Sequence, residues 1–386
     1  MTAVPQEMLE DVRSRLALEG AEPTPARVAA MLRSDGRLLG DSAVLAVVDA
    51  LQRDTVGAGA LEPLLREPGV TDVVVNGADA VYVDRGDGLE RAPVRFPDDA
   101  SVRRLAQRLA SAGGRRLDDS TPYVDVRLVD GTRFHAVLAP IAQPGTCLSL
   151  RVPARRTFDL QQIAASGSLP PRGVELLRAM VEAQVAFVVS GGTGTGKTTL
   201  LSSLLSLVDP AHRLVIVEDA AELRPRHPHL VSLEARPANV EGAGQVTLRD
   251  LVRQALRMRP DRLVVGEVRG AEVVDLLAAM NTGHQGGCGT VHANSAADVP
   301  TRLEALAVAA GLSREAAHAQ IGAAVHAVIH LCRDRDGQRR VAEVAVLQRH
   351  GGLVAAVPAV GFGVDGSIVT GEGARRLERL LHADRR

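Results

Sequence analysis

Apolar residues recur every three or four positions near the start of the chain, and this spacing predicts helices. The pattern covers Glu7–Leu18, Pro25–Leu39 and Ala43–Leu51. Spacing of this kind gathers apolar side chains on one face of a helix. The sequence therefore predicts a helical extension over residues 1–55.

A different pattern, typical of strands and turns, follows between residues 56 and 152. The segments that carry it are predicted as four strands and one helix: Val70–Gly77, Ala80–Val83, Tyr123–Leu128, Arg133–Leu138 and the helix Val102–Ala110. Between the last two strands, Val129-Asp-Gly-Thr132 is a strong hairpin signal. We predict a small α+β domain over 56–152, followed by a proline-containing linker over 153–175.

Short apolar segments alternate with helical patterns from residue 176 onward. The predicted elements share this alternation and are the strands Val185–Ser190, Leu214–Glu218, Leu263–Gly266 and Gly289–His292 and the helices Thr198–Leu207, Leu248–Met258 and Glu272–Met280. Alternation of this kind is typical of a parallel sheet that helices cover on both faces. A hairpin at Val325–Leu331 and Val341–Leu347 completes an α/β domain predicted over 176–350, and 351–386 is predicted as a C-terminal tail.

Composition narrows the class of protein. The 386 residues, 46% of them hydrophobic, can form two or three domains. The longest apolar runs are about ten residues, too short to span a bilayer, and no apolar segment at the N-terminus marks secretion. A net charge of −1 gives no overall basic surface for nucleic acid. We expect a cytoplasmic protein without a transmembrane segment or direct contact with nucleic acid.

All but one of the 45 basic residues are arginines, and the single lysine, Lys197, lies in a glycine-rich segment. The segment Gly191-Gly-Thr-Gly-Thr-Gly-Lys-Thr198 matches the phosphate-binding pattern G-x-x-x-x-G-K-[ST], between a predicted strand and a predicted helix. Glycines let the backbone wrap a polyphosphate, and the helix N-terminus adds positive charge. With no second lysine, the guanine-reading motif of GTPases cannot be present.

The expected ligands are therefore ATP and Mg²⁺. The residues predicted to bind the nucleotide are Gly191, Gly192, Thr193, Gly194, Thr195, Gly196, Lys197, Thr198 and Thr199. Among them, Lys197 would reach the β- and γ-phosphates, and Thr198 would bind Mg²⁺.

Acidic residues follow two of the predicted strands, and a histidine-containing segment follows shortly after. One predicted strand ends in Glu218-Asp-Ala-Ala-Glu222. A second apolar strand, at the start of Leu263-Val-Val-Gly-Glu-Val-Arg269, is followed by the acid Glu267, and the whole resembles a Walker B segment. Ligands bind at the carboxyl ends of parallel strands. A carboxylate there can orient or deprotonate water, and Glu267 would hold Mg²⁺ through water. The third segment, Asn281–Ser295, contains His284 and His292, which suit a γ-phosphate sensor or an interface relay.

In this order, the four motifs resemble the P-loop, aspartate box, Walker B strand and histidine box of the type II/type IV secretion ATPase superfamily. The stretch Arg249–Ser295 is most similar to the tight-adherence (Tad, Flp pilus) and conjugal-transfer-associated branch. The resemblance implies an α/β fold with a RecA-like P-loop ATPase core and a smaller α+β N-terminal domain. It also implies a homohexamer, peripheral to the inner face of the membrane, that drives inner-membrane platform proteins of a pilus or secretion machine.

The resemblance also implies residue roles. By position, Glu222 is the general base with Glu218 and Asp219 supporting it, Glu267 is the Walker B acid, and His292 belongs to the histidine box. Two departures are that Ala220 replaces a proline frequent outside this branch, and that no tetracysteine module is present.

Arginines of the α+β domain are the implied source of a cation for the nucleotide site. Arg127 and Arg133 would share a face of the hairpin if its loop has three residues, and would lie on opposite faces if it has two or four. Arg116 and Arg151 are further candidates, and ordinary surface arginines are the alternative.

Three further hypotheses stay open. Arg249, Arg253 and Arg257 give one basic helix face, which we expect to pair with acids rather than DNA. A conjugation-linked DNA-transfer motor would share the fold, although the net charge argues against direct DNA contact. A nucleotide-binding scaffold without turnover is also possible, although the set of acids argues against it.

Overall fold

The computed structural model describes residues 11–12, 15, 24–34, 44, 47–48, 57–86, 88–153, 157–238, 242–281, 286–334 and 336–382. The chain divides into two compact units, Met1–Ala154 and Arg155–Arg386. Of the three predicted N-terminal helices, one corresponds to α1 (Pro25–Ser34). Most of the other two lies outside the described residues.

A six-stranded antiparallel sheet forms the framework of the first unit, in the order β3-β2-β1-β6-β5-β4. The elements of this unit after α1 are α2 (Glu62–Arg66), β1 (Asp72–Asn76), β2 (Val81–Asp84), β3 (Leu89–Arg91), α3 (Asp99–Ala112), β4 (Tyr123–Arg127), β5 (Arg133–Val137) and β6 (Cys147–Arg151), with a 3₁₀ turn at Gly59–Leu61. The predicted hairpin is therefore present as β4 and β5.

Apolar and polar side chains alternate along the strands, which gives this sheet one apolar face and one polar face. Val73, Val75 and Phe134 are fully buried on the apolar face, where they form one core with the apolar stripe of α3. The helix begins before the predicted Val102 because the Asp98 side chain caps it, accepting the Ser101 N–H at 2.7 Å.

The second unit contains a nine-stranded sheet in the order β15-β14-β13-β12-β7-β11-β10-β8-β9. The strands are β7 (Phe187–Gly191), β8 (Leu214–Glu218), β9 (Leu230–Glu234), β10 (Arg262–Val265), β11 (Cys288–His292), β12 (Ala327–Arg333), β13 (Arg339–His350), β14 (Leu353–Phe362) and β15 (Ile368–Thr370). The strands from β12 to β9 along the sheet are parallel, and the other three join antiparallel.

Helices cover both faces of this sheet, as the sequence predicted. They are α4 (Leu160–Ala165), α5 (Pro171–Glu182), α6 (Lys197–Leu205), α7 (Leu248–Ala255), α8 (Glu272–Asn281), α9 (Val299–Ala309), α10 (Arg314–Ala324) and α11 (Ala374–His382), with a 3₁₀ turn at Leu256–Met258. One apolar core holds residues of α7 to α10, and the other holds residues of α4, α5, α6 and α11. Among the described residues, none of these helices has the length and apolarity needed to cross a bilayer.

The structure differs from the sequence prediction in two segments. The predicted linker 153–175 carries α4 and the start of α5, and its Leu160 and Leu169 are buried in a core of the second unit. The predicted tail 351–386 carries β14, β15 and α11, and its Phe362 is buried in the same core. Glycines and prolines interrupt the apolar pattern in both segments, which is why they resemble connections in the sequence.

Candidate nucleotide site

The glycine-rich segment joins the end of β7, the central strand of the nine-stranded sheet, to the start of α6. Gly191, Gly194 and Gly196 have φ values of 153°, 72° and 94°, which residues with a side chain rarely adopt. A Cβ on Gly191 would also lie 2.5 Å from the carbonyl oxygen of Leu331. The backbone here requires glycine and leaves the open cradle that a polyphosphate fits.

Lys197, the first residue of α6, folds its side chain back over this loop. Its Nζ donates to the carbonyl oxygens of Gly191 at 3.0 Å and Gly192 at 2.7 Å. Burial lowers the pKa of Lys197, while the charges of Glu267 and Glu222 oppose that decrease. The ammonium is therefore held at the loop within electrostatic reach of both acidic segments. Thr198 and Thr199 follow it, half-buried, in the first turn of α6.

The carboxyl ends of four parallel strands bring the predicted motifs to one edge of the sheet. His292 at the end of β11 is the registered neighbour of Gly191, and Val265 of β10 is the neighbour of Val217 of β8. Glu218 directly follows Val217 in β8, and Glu267 lies two residues after Val265 of β10. His292 is exposed, whereas His284 lies in the stretch 282–285, outside the described residues.

Glu218 is the buried acid of this site, with 4% of its surface exposed. Its Oε1 accepts the backbone N–H groups of Glu222 at 3.1 Å and Leu223 at 3.0 Å, and its Oε2 is buried with no hydrogen-bond partner among the described residues. Burial raises the pKa of Glu218 from 4.5 to about 7, against the effect of those two hydrogen bonds. The carboxyl group packs so closely on Gly266 that a Cβ there would lie 2.5 Å from the Glu218 Cγ.

The other predicted acids are more accessible. Glu222 and Asp219 are exposed, and Glu267 is half-buried and forms an ion pair with Arg269. Because the Glu218 carboxyl group is occupied by the turn that follows it, Glu222 and Asp219 are the carboxylates of this segment that are open to water. This arrangement can bind a polyphosphate and place a carboxylate and a cation beside it.

Two buried residues of the site were missed in the sequence. Glu272, at the start of α8, accepts the backbone N–H groups of Arg269 at 2.6 Å and Gly270 at 2.7 Å. His330 of β12 is buried with Nδ1 2.8 Å from the Ser190 hydroxyl, and burial lowers its pKa. An acid in the first turn of a helix and a histidine in an apolar strand are common, so neither gave a sequence signal.

The register of the first unit settles the geometry of the two predicted arginines. Arg127 lies directly opposite Arg133, and the Leu128 N–H donates to the Thr132 carbonyl at 2.9 Å, so the loop between them has the three residues Val129 to Gly131. The two side chains therefore share one face, as the three-residue alternative requires. Arg151 is the next neighbour of Arg133 in the same row.

Five of the arginines named in the sequence analysis form ion pairs with acidic residues. Arg133 pairs with Asp125 at 2.7 Å, Arg151 pairs with Asp72 at 2.9 Å, and Arg116 pairs with Asp118. In the second unit, Arg249 and Arg253 of α7 both pair with Asp275 of α8, at 2.7 Å and 2.9 Å. The expectation that this basic face pairs with acids is confirmed for these two residues.

Comparison with known proteins gives both a family and a fold. The family model described as type II/IV secretion system protein matches residues 54–361. A protein of Mycobacterium tuberculosis strain H37Rv, named as a candidate conjugal transfer protein, is 59% identical over 326 residues, which are 83% of this chain and 93% of that protein. The conjugal transfer protein TrbB of Rhizobium radiobacter is 33% identical over 280 residues, 71% of this chain and 83% of that protein.

The solved structure of the Yersinia pseudotuberculosis ATPase DotB matches with a TM-score of 0.53 at 19% identity, covering 78% of this chain and 80% of that one. The nine-stranded sheet and the loop between β7 and α6 thus form a RecA-like P-loop core. The six-stranded sheet belongs to a smaller α+β domain that precedes it in the chain, and together these are the predicted fold class.

Proposed function

Because the chain belongs to the type II/IV secretion system protein family, we propose that it is a Mg²⁺-dependent ATPase that powers a secretion, conjugation or pilus-assembly machine. The observation that carries this proposal is the arrangement at one edge of the parallel sheet. There, Lys197 lies on a glycine cradle within electrostatic reach of Glu222 and Glu267. A cation, a phosphate cradle and carboxylates together are what phosphoryl transfer to water requires.

The residues of this chain divide the work as follows. The loop from Gly191 to Gly196 wraps the phosphates, and Lys197 exchanges its two carbonyl partners for phosphate oxygens. Thr198 would hold Mg²⁺ directly and Glu267 would hold it through water, and the ion would neutralise phosphate charge there. Glu222 orients and deprotonates the attacking water.

Three further residues have supporting roles in the same proposal. Glu218 holds the turn that carries Glu222 through two backbone hydrogen bonds. Asp219 lies in that turn and adds negative charge next to Glu222. His292, exposed beside Gly191, faces the position where the γ-phosphate would lie.

We propose that the active form is a homohexamer, in which Arg127 and Arg133 of one subunit complete the nucleotide site of the next subunit. Support comes from their shared face and from the adjoining Arg151, which together form a row of three arginines. The ion pair between Arg133 and Asp125 is about half exposed on both sides. Exposed pairs of this kind are weak, typically about 0.2–1 kcal/mol, so Arg133 can exchange Asp125 for phosphate readily.

A location and a branch are part of the same proposal. We propose that the protein works at the cytoplasmic face of the inner membrane and docks onto platform proteins of the machine. The motifs favour the tight-adherence and conjugal-transfer-associated branch, and two relatives are named for conjugal transfer.

The test is ATP hydrolysis per subunit, measured against protein concentration with Mg²⁺. We expect activity that rises steeply with concentration, because sites completed between subunits require the ring. Lys197→Ala should abolish hydrolysis and weaken ATP binding, and Glu222→Gln should bind ATP without turnover. Turnover of Glu222→Gln near the wild-type rate would assign the base to Glu218 instead.

Substitution of the arginines separates the ring from a self-contained subunit. Arg127→Ala and Arg133→Ala should lower activity at every concentration, whereas Arg66→Ala, which removes an exposed arginine paired with Glu62 in the same unit, should not. Activity that is independent of concentration and of Arg127 and Arg133 would refute their role in trans. ATP binding with no hydrolysis, even when membranes are added, would leave a nucleotide-binding scaffold.

A conjugation-linked DNA-transfer motor is the second candidate, and the names of two relatives favour it. DNA-stimulated hydrolysis with a steep dependence on salt would support direct contact with DNA. Hydrolysis that is unaffected by DNA would favour a motor that acts on the membrane platform alone.

A further inference from the structure

The turn after β10 is held to the sheet on both sides. The Gly266 N–H donates to the Val217 carbonyl of β8 at 2.9 Å, and the Val268 N–H donates to the Thr290 carbonyl of β11 at 2.8 Å. The Thr290 hydroxyl donates to the Gly266 carbonyl at 2.6 Å. These contacts fix the start of the turn, and they leave its second half, Arg269 and Gly270, to be fixed by something else.

Glu272 supplies that contact. Its Oε1 accepts both the Arg269 N–H at 2.6 Å and the Gly270 N–H at 2.7 Å, and the residue is only 6% exposed. A carboxylate oxygen that accepts two backbone N–H groups makes strong, charge-assisted hydrogen bonds. One buried carboxylate therefore holds the backbone of Arg269, and the side chain of Arg269 pairs with Glu267.

The same arrangement occurs at the neighbouring acidic segment. One oxygen of the buried Glu218 accepts two consecutive backbone N–H groups, those of Glu222 and Leu223. In both turns, a buried glutamate binds two consecutive backbone N–H groups. Glu222 is itself one of the residues so bound, and Glu267 is the ion-pair partner of Arg269, whose backbone is so bound. This repetition points to the positioning of the accessible acid rather than to the local needs of one helix.

We propose that Glu272 is a positioning residue of the nucleotide site, which holds Arg269 and Gly270 so that the ion pair of Arg269 and Glu267 stays in place near Lys197. The proposal deepens the ATPase function proposed above and rests on it. The charges of both Glu267 and Arg269 act on the Lys197 ammonium. A shift of the turn would therefore change the charge around the γ-phosphate, while the glycine cradle that binds the nucleotide would stay in place.

An ordinary helix cap is the alternative. Glu272 is the first residue of α8, and an acidic side chain at a helix start stabilises the helix whatever site is nearby. The two explanations differ in what the variants should show. A cap contributes to stability only, whereas a positioning residue contributes to turnover at constant nucleotide affinity.

The variants are Glu272→Ala, Glu272→Gln and the control Glu304→Ala. Gln keeps the Oε1 atom that accepts both N–H groups, whereas Ala removes it. Glu304 is a similarly protected acid of the same unit, in contact with His318 and Arg314, so its removal controls for general destabilisation. All three are studied in the full chain, and thermal unfolding establishes that each is folded at the assay temperature.

Amide hydrogen exchange at Arg269 and Gly270 is the first measurement, because it does not depend on hydrolysis. We expect about tenfold faster exchange in Glu272→Ala and wild-type exchange in Glu272→Gln and Glu304→Ala. The second measurement is steady-state hydrolysis. There we expect kcat to fall about tenfold in Glu272→Ala with the KM for ATP within about threefold of wild type, and we expect Glu272→Gln to retain most of the kcat.

Unchanged exchange in Glu272→Ala would overturn the proposal, and so would faster exchange with an unchanged kcat, which is the result of a plain helix cap. An equal loss of kcat in Glu304→Ala would overturn it as well. If the wild type binds ATP but hydrolyses none, the proposed ATPase function fails. The exchange data, taken with and without ATP, then decide separately whether Glu272 holds the turn.

Discussion

Replacement of Glu218 by glutamine should change how the stability of the second unit depends on pH. Burial raises the pKa of Glu218 from 4.5 to about 7, so between these values the folded chain binds a proton that the unfolded chain does not. The free energy of unfolding of the wild type must therefore fall as the pH rises through this range. Glutamine has the same shape, stays neutral and keeps the oxygen that accepts the two backbone N–H groups.

The size of the effect follows from the pKa displacement. At 1.36 kcal/mol per pH unit, the ionised Glu218 carboxylate costs the folded state about 3 kcal/mol at about pH 8. At about pH 5 the two proteins should differ little, because the wild-type side chain is then mostly protonated in the folded state. Glu218→Gln should therefore gain about 3 kcal/mol relative to wild type over this range.

The assay is denaturant unfolding followed by far-UV circular dichroism at several pH values. The chain has no tryptophan, and its two tyrosines, Tyr82 and Tyr123, both lie in the first unit, so their fluorescence would not report on the second. Glu175→Gln, an exposed glutamate of α5, is the matched control and should track the wild type at every pH. A difference between Glu218→Gln and wild type that is flat with pH, or that shrinks as pH rises, would refute the reasoning.

Three further substitutions test the local structure. Thr247→Ala removes the capping box between Thr247 and Asp250 at the start of α7 and should lower the free energy of unfolding by about 1 kcal/mol in the circular dichroism assay; no loss would show that the cap contributes nothing. Phe134→Ala, at a fully buried position of the first unit, should cost about 3–5 kcal/mol, visible in tyrosine fluorescence. Gly191→Ala should introduce about 1–3 kcal/mol of strain, because Gly191 has a positive φ and lies close to the Leu331 carbonyl. The substitution should also weaken ATP binding measured by titration, and wild-type affinity would contradict a closely fitted loop.

The parts of the fold that the sequence predicted well are those that local signals determine. A glycine-rich loop between an apolar strand and a helix can be recognised from adjacent residues, and so can the hairpin around Asp130-Gly131. The hairpin also shows the limit of such signals. Its loop length stayed open in the sequence, and the hydrogen bond from the Leu128 N–H to the Thr132 carbonyl, together with the strand register, decides on which face Arg127 and Arg133 lie.

Residues that act through distant partners could not be predicted. Glu272 is informative only because its carboxylate reaches back to two backbone groups, and His330 only because β12 lies beside β7 and faces Ser190. The strands after residue 350 were missed for a related reason. Val354 and Phe362 belong to buried cores. Their strand pairs with β13 in a long hairpin, and glycines interrupt the apolar pattern that would have revealed this strand in the sequence.

The half-buried Lys197 ammonium makes this site chemically unique in the chain. No other lysine is present, so a protease that cleaves after lysine has a single place to cut, inside the first turn of α6. While the side chain is held by the Gly191 and Gly192 carbonyls, that bond is protected, and cleavage requires the loop and helix to open. The appearance of two fragments therefore measures local opening of the phosphate loop directly. Its suppression by a nucleotide would give the affinity of the loop without any measurement of turnover.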